Sequence, residues 1–371
     1  MRVAHIRDTW LRWSETFIYD IVTRHRDVEA YVFCERRANE DQFAFDRVDA
    51  LADQNAAVRA VDETRRRLGR GYGFYARQAR ARNIDLIHAH FGTSGYHALP
   101  AKRAVGRPLI TSFYGQDLFE TCAQGKWKRR YARLFAEGDL FLALSESMRR
   151  DLIELGCPVE KIRIYRLGID LTDFAVVERP PTERPRLLCV ARLVEKKGID
   201  VLIRAFAELR RRDVEAELTV IGDGPMEATL RALADELDVA ERIEWQDHIP
   251  FAALPSAMAK ADIFCLPSCT DRFGGKDEIS MVIKEAMGTA LPVVTTRHAG
   301  IPEKLEDGVH ALLVPEKDVT ALADALAALV VDPNRRRELG LAGRQRVEEV
   351  WEIHRQVAEL EAIYRETAAG R

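Results

Sequence analysis

One rhythm, run twice, constrains this chain more than any other feature. Short apolar runs, "RVAHI", "EAYVF", "DLIHAHFG", "PLITSFYG", "LFLALS" and "IRIYRLG", alternate with segments whose apolar residues recur at helical spacing. Runs too short for buried helices, with helices between them, predict parallel strands joined by crossover helices, because a parallel pair needs a long connection. After "VVERPPTERPR", whose three prolines among charges favour neither helix nor strand, the rhythm restarts with "RLLCVARL", "AELTVIGDG", "RIEWQDHI", "DIFCLPS" and "PVVTT". The expectation is two doubly wound α/β domains, residues 1–175 and 186–345, with a linker at 176–185. A last helical stretch, 346–371, is expected to pack back on the first domain. At 371 residues the chain exceeds what one core usually serves. The halves share no repeated sequence, which excludes a solenoid.

Composition removes several classes of function. Hydrophobic residues make up 47% and charged residues 31%, which excludes a disordered chain. The net charge of -3 conceals an asymmetry: 29 Lys+Arg against 24 Asp+Glu in residues 1–175, a balance of +5, and 27 against 35 afterwards, a balance of -8. A mildly basic first half suits an anionic acceptor or a membrane surface, and equally a solvated face. It lacks the dense basic clustering of a nucleic-acid binder. The six cysteines sit mostly in apolar runs and read as reduced core residues, which points to the cytoplasm. Cys265 and Cys269 have no second Cys/His pair at zinc-like spacing, so no metal is expected. No run reaches ~18 apolar residues, and "MRVAHIRD" begins as a strand, so neither a membrane span nor a signal peptide is expected.

Ligands of open parallel sheets bind at the carboxyl ends of the strands, and the unusual residues fall there. "ARLVEKKG" places Arg192 and Lys197 around a turn, a fork and a point charge suited to a diphosphate, or else a solvated basic loop. In "GDGP", Gly224 permits close backbone approach to a ligand, or simply makes a turn. In "SCTDRFGGKDEISMVIKEAMG", a helix beginning near Ser280 offers free N–H groups at Ser280 and Met281 to a phosphate. Acids beside a phosphate are tolerable if they address sugar hydroxyls, which suits Glu285; a capping Asp and a surface Glu are the plainer reading. Helical period pairs Glu278 with Glu285 and leaves Asp277 out, but only if Glu278 is helical. The preceding "FGGKD" predicts a loop, so spacing does not choose between Asp277 and Glu278. His88 and His90 lie two apart on a strand and point the same way, either as satisfied structural groups or toward a ligand. Ser14, Glu15 and Thr16 either line a first-strand loop over a ligand or cap the next helix. "GKWKRRYARLF" is either an anionic-membrane contact or an exposed helix with two core aromatics.

Taken together, "ARLVEKKG", "VIGDGP", "ADIFCLPS", "DEISMVIKEAMGTALPVVTT" and "AGIPEKLEDGVHALLVP" resemble the donor-binding domain of family-four-type retaining glycosyltransferases of the GT-B fold. "WSETFI", "IHAHFGTSG", "SFYGQDL" and "LALSESMRRDLIELGCPVEKIRIYRLGID" are similar to the acceptor-side domain of bacterial members that build surface polysaccharides. The resemblance implies two Rossmann-like domains facing a cleft, and a sugar moved from a nucleoside diphosphate sugar to the hydroxyl of a glycan or glycolipid. It places Arg192 and Lys197 on the pair that binds the diphosphate and Glu285 on the ribose. By the family's spacing it puts Asp277, rather than Glu278, by the transferred sugar. It makes His90 a cleft candidate and puts Tyr114 where the family has a histidine near that sugar. Asp277 and Tyr114 are departures: the first shortens the reach by one methylene, the second removes an imidazole. No cofactor, metal or nucleic acid is expected, and contact with the inner face of the membrane is the remaining partner suggestion. An epimerase or phosphorylase of the same architecture, or a non-catalytic nucleotide-sugar-binding subunit, are the alternatives.

Overall fold

The computed structural model describes residues 1–119, 121–122 and 124–370. The chain divides into two compact units, Met1–Gly168 with Ile353–Arg371, and Ile169–Glu352.

The first unit is built on a seven-stranded parallel sheet. Its strands are β1 (Arg2–Ile6), β2 (Glu29–Cys34), β3 (Val48–Ala50), β4 (Leu86–His90), β5 (Leu109–Ser112), β6 (Leu140–Ala143) and β7 (Ile162–Ile164), in the order β3-β2-β1-β4-β5-β6-β7. The second unit carries β8 (Arg186–Val190), β9 (Glu217–Ile221), β10 (Ile243–Gln246), β11 (Ile263–Leu266), β12 (Val293–Thr296) and β13 (Leu312–Val314), in the order β10-β9-β8-β11-β12-β13. All pairings within both sheets are parallel.

Central strands covered on both faces are buried throughout, as Leu86–His90, Ile263–Leu266 and Val293–Thr296 are, and the polar His88, His90, Thr295 and Thr296 among them are hydrogen-bonded. The helix Ile199–Arg211 shows the complementary pattern. It buries Ile199, Leu202, Ile203, Phe206 and Leu209, the one-faced spacing that packs a helix on a sheet. Each such large side chain contributes about 1.5–3 kcal/mol on burial.

Three boundaries depart from expectation. The chain leaves the first unit at Gly168, not at 175, so the proline-rich 176–185 stretch lies within the second unit. There Arg179 donates to the carbonyl oxygens of Val177, Met258, Ala261 and Thr289, anchoring a segment that its prolines keep out of helix and sheet. The stretch expected as one last helix, 346–371, is two. Residues up to Val350 continue the Pro333–Val350 helix of the second unit, and Ile353–Ala368 forms the helix of the first, burying Leu360, Ile363 and Tyr364 completely. No helix among the described residues is long and apolar enough to cross a membrane.

Candidate functional site

In the second unit the chain builds outward from β8 to β9 and β10, then returns to lay β11 against the other side of β8. Ligands of open α/β sheets collect at such a reversal, outside the carboxyl ends of the strands. Polar residues stand there in register: Arg192, Ser268, His298 and Glu316 each lie two positions beyond the ends of β8, β11, β12 and β13.

The loops after β8, β9 and β11 are packed backbone to backbone. A Cβ on Gly198 would lie 2.1 Å from the Pro267 carbonyl oxygen, and one on Gly222 2.0 Å from that of Ala191. Their φ values, +65° and +139°, are the region open to glycine. The Cys269 N–H donates to the Lys196 carbonyl at 2.9 Å, and the Arg272 N–H to the Glu195 carboxylate at 3.0 Å. This zipper carries Lys197 onto Asp277.

The Lys197 ammonium donates to Asp277 Oδ2 at 2.6 Å and to Ser280 Oγ at 3.3 Å, and Ser268 Oγ donates to the same carboxylate oxygen at 3.2 Å. Lys197 and Asp277 are largely but not wholly buried, with side chains 9% and 18% exposed. Burial pushes the Asp277 carboxyl up, but the charge and hydrogen bond of Lys197, with Lys196 nearby, outweigh it and hold it below the usual carboxylate range. The helix after this loop runs Met281–Gly288 with Ser280 at its N-cap; no side chain caps it, since the Ser280 hydroxyl is turned to Lys197. Glu278 lies before the helix, in the loop, so helical period does not apply to it.

Asp277, Lys197 and Ser280 are thus in direct contact. Arg192 is exposed on the loop after β8, and Glu285 is buried one turn inside the 281–288 helix, at 5% exposure. Met281 is half-buried in its first turn, its sulfur accepting from Lys284 at 3.5 Å. At Gly224 a Cβ would lie 2.5 Å from the Leu193 carbonyl oxygen, so loop packing alone demands the glycine. Two residues escaped the sequence reading. His298, 1% exposed, accepts the Asp277 backbone N–H on Nε2 at 3.0 Å and holds Glu316 on Nδ1 at 2.6 Å. The other Glu316 oxygen accepts the Thr270 N–H at 2.7 Å. The signal that marks them is the one that marks Arg192, their place just beyond a strand's end.

In the first unit both candidate residues, His90 and Tyr114, are bonded inside the core. His88 and His90 do point the same way, with ring centroids 4.4 Å apart, but both are completely buried. His90 Nε2 meets His5 Nδ1 at 3.0 Å and its Nδ1 meets the Tyr114 hydroxyl at 2.7 Å. Both nitrogens are engaged inside the unit. The hydroxyl of Tyr114, which stands where the family has a histidine, bonds His90, and its ring packs on Phe17 and Phe91. His88 bonds the Tyr364 hydroxyl at 2.6 Å and Ser112 Oγ at 2.7 Å. Potential ligand atoms of His5, His88 and His90 lie within 4.8 Å of one another. Hydrogen bonds already occupy both nitrogens of His88 and His90, so the cluster reads as a bonded polar core. Burial pushes all three imidazoles down, His88 to about 3.

Around that core, Asp117 accepts the N–H groups of Gly92 and Tyr114 at 2.9 and 3.1 Å, fixing the turn after β4 where Phe91 has φ +72°. Burial pushes Asp117 up to about 6 against those two bonds. Glu15 occupies the N-cap position of the next helix but spends its carboxylate on Arg7, at 2.6 Å. In the helix Gly125–Glu137, Tyr131 and Phe135 are buried while Lys126, Lys128, Arg129 and Arg133 are exposed. Its aromatics belong to the core.

Comparison with known proteins agrees with this architecture. A model described as glycosyl transferases group 1 matches residues 172–346, and one described as glycosyltransferase family 4 matches residues 14–173. The chain is 36% identical over 282 residues to the amylovoran biosynthesis glycosyltransferase AmsK of Erwinia amylovora, covering 74% of this chain and 69% of that one. It is 39% identical over 282 residues to the GDP-mannose-dependent alpha-(1-6)-phosphatidylinositol monomannoside mannosyltransferase of Mycolicibacterium smegmatis, covering 72% and 73%. Other curated relatives that it matches are spanned over as little as 61% of their length. The crystal structure of Anabaena HepE in complex with UDP and glucose shares the fold, with a TM-score of 0.79 at 19% identity over 98% of this chain and 99% of that one. The chain belongs to the family-four glycosyltransferases of the GT-B fold.

Proposed function

We propose that this chain transfers a hexose from a nucleoside diphosphate sugar to a hydroxyl of a glycan or glycolipid acceptor, in surface polysaccharide or glycolipid synthesis, with retention at the anomeric carbon and without a metal. The observation that carries the reading is the cluster at the β8–β11 reversal. A cation, Lys197, an uncapped helix N-terminus and an ionised carboxylate, Asp277, meet there within hydrogen-bond distance. The relatives' names supply the substrate class: one is GDP-mannose-dependent, and the structural neighbour was crystallised with UDP and glucose. The diphosphate is common to both; the base is left open.

In this reading Arg192, Lys197 and the N-terminus of the 281–288 helix take the charge that develops on the departing diphosphate. Glu285 holds the ribose. Asp277 accepts from hydroxyls of the transferred sugar once phosphate oxygens compete for Lys197, its present counter-ion. The bond from the anomeric carbon to the phosphate oxygen breaks, the acceptor oxygen bonds that carbon on the same face, and the acceptor's proton passes to the departing phosphate oxygen. No protein nucleophile is needed. A lipid-borne acceptor would bring the exposed Lys126, Lys128 and Arg129 toward an anionic surface chiefly by charge, since Tyr131 and Phe135 are buried and Trp127 is half-buried against the core.

The test is transfer from nucleoside diphosphate hexoses to a panel of glycan and lipid-linked acceptors, with the product's anomeric configuration read by NMR and parallel reactions in chelator. Acceptor-dependent product with retained configuration and full rate in chelator is expected. Donor converted without an acceptor would make the protein an epimerase. Binding with neither transfer nor slow donor hydrolysis would make it a non-catalytic subunit.

A further inference from the structure

Asp277 sits in a loop containing Gly274 and Gly275, in a segment without helix or strand between β11 and the 281–288 helix. Such a loop does not hold a carboxylate in one place by itself. Glu195 accepts the Arg272 N–H and Asp271 those of Phe273 and Gly275, which shapes the middle of the loop, but the backbone at Asp277 itself is held by another side chain. The Asp277 N–H donates to His298 Nε2 at 3.0 Å, and His298 is 1% exposed on the turn after the neighbouring strand, β12. An N–H donor facing Nε2 requires the lone pair there, so the ring's proton resides on Nδ1. That proton is accepted by Glu316 Oε1 at 2.6 Å, from the turn after β13. The remaining Glu316 oxygen accepts the Thr270 N–H at 2.7 Å, at the other end of the Asp277 loop. Backbone bonds at both ends of the 270–277 loop therefore close on one pair of side chains, carried by two adjacent strands of the sheet.

We propose that His298, set in its tautomer by Glu316, is the positioning residue that fixes Asp277 for the transferred sugar, and so a determinant of sugar recognition rather than of nucleotide binding. The proposal rests on the reading of Asp277 as the acid that meets that sugar. His298 makes no hydrogen bond to Arg192 or Lys197 among the described residues: its ring bonds Asp277 and Glu316, and its backbone carbonyl accepts the Ile301 N–H. A defect in it should leave the diphosphate's partners in place. A side chain that accepts the same amide should restore what its loss removes: the glutamine amide oxygen in His298→Gln reaches about as far as Nε2.

The experiment measures kcat and KM for the nucleoside diphosphate sugar, and the Kd of the nucleoside diphosphate alone. The variants are His298→Ala, His298→Gln, Asp277→Ala and the His298→Ala/Asp277→Ala pair, each with its melting temperature recorded. Loss of one buried hydrogen bond to a positioned group corresponds to a fall on the order of tenfold in kcat/KM. That fall is expected for His298→Ala, with nucleoside diphosphate Kd unchanged within about twofold, substantial recovery in His298→Gln, and a double variant no worse than Asp277→Ala, since both changes act through one group. Should His298→Ala not fold, Glu316→Ala, at a half-buried position, is expected to show the same split. Equal loss of nucleoside diphosphate binding, effects that multiply in the double variant, or no recovery in His298→Gln would overturn the proposal while leaving the role of Asp277 intact. An Asp277→Ala variant with undiminished transfer would instead overturn the reading of Asp277 itself, and this proposal with it.

Discussion

At the residue scale, the site is held by positions whose identity has a steric or electrostatic cause. Gly198 and Gly222 let the loops after β8, β9 and β11 close on one another, and a Cβ at either would lie about 2 Å from a carbonyl oxygen, where no side chain fits. Gly222→Ala is therefore expected to destabilise the second unit by at least 1–3 kcal/mol, from backbone strain alone. That lowers its melting temperature by several degrees at roughly 2–4 °C per kcal/mol. An unchanged melt would contradict the packing described. In the first unit, burial lowers the pKa of His5, His88 and His90 below the unfolded value of about 6.5. Each then favours the fold in its neutral form: the contribution is present above pH ~6.5 and is lost as pH falls toward the folded pKa, at about 1.4 kcal/mol per pH unit per histidine. Asp117, raised to about 6, acts in the opposite sense as pH falls below that value and offsets one of the three. His25 and His97, pushed down to about 4 by burial, act in the same sense as the three, so stability falls with pH and urea midpoints at pH 7 and 5.5 should differ clearly. Equal midpoints would show that those imidazoles are not neutral and buried together.

At the scale of elements, most of the fold was legible. Apolar runs of four residues or more became strands, because a strand buried on both faces must be apolar throughout. Val48–Ala50 and Leu312–Val314, three residues each, were not read as strands, whereas the equally short Ile162–Ile164 was, within the longer run "IRIYRLG". Arg192, Lys197, Asp277 and Ser280 were legible because each lies in a motif beside other polar residues. His298 and Glu316 were not: they stand 18 residues apart, and the pair exists only because β12 and β13 are neighbours. Alternation along β4 correctly put His88 and His90 on one side. It did not reveal that the side is closed by Tyr364, which lies 276 residues beyond His88. The Ile353–Ala368 helix is thus part of the first unit's core, with His25 also bonded to Glu361 at 3.2 Å. Deleting residues 353–371 strips fully buried Leu360, Ile363 and Tyr364 and takes the Tyr364 hydroxyl from His88 Nδ1, so the truncated chain should lose the first unit's cooperative melt. A truncated protein with two undiminished transitions would show that this helix is dispensable.

At the scale of the whole molecule, each unit closes its own sheet and core, and the proposed donor site is assembled entirely from strand ends of the second. On the proposed function, binding of the nucleotide is a property of residues 169–352, and its loss should follow from changes made there. The measurement that tests this most directly is a thermal-shift panel of UDP, GDP, ADP, dTDP and CMP with their sugar conjugates, on the wild type and on Arg192→Ala/Lys197→Ala. Ligand at about 100 times its Kd stabilises by about 2.7 kcal/mol, a rise of roughly 5–10 °C for a unit of this size. The account predicts such a rise for the nucleoside diphosphates of one base and its absence in the double variant. A panel with no shift in the wild type, or a shift that survives loss of both cations, would contradict it.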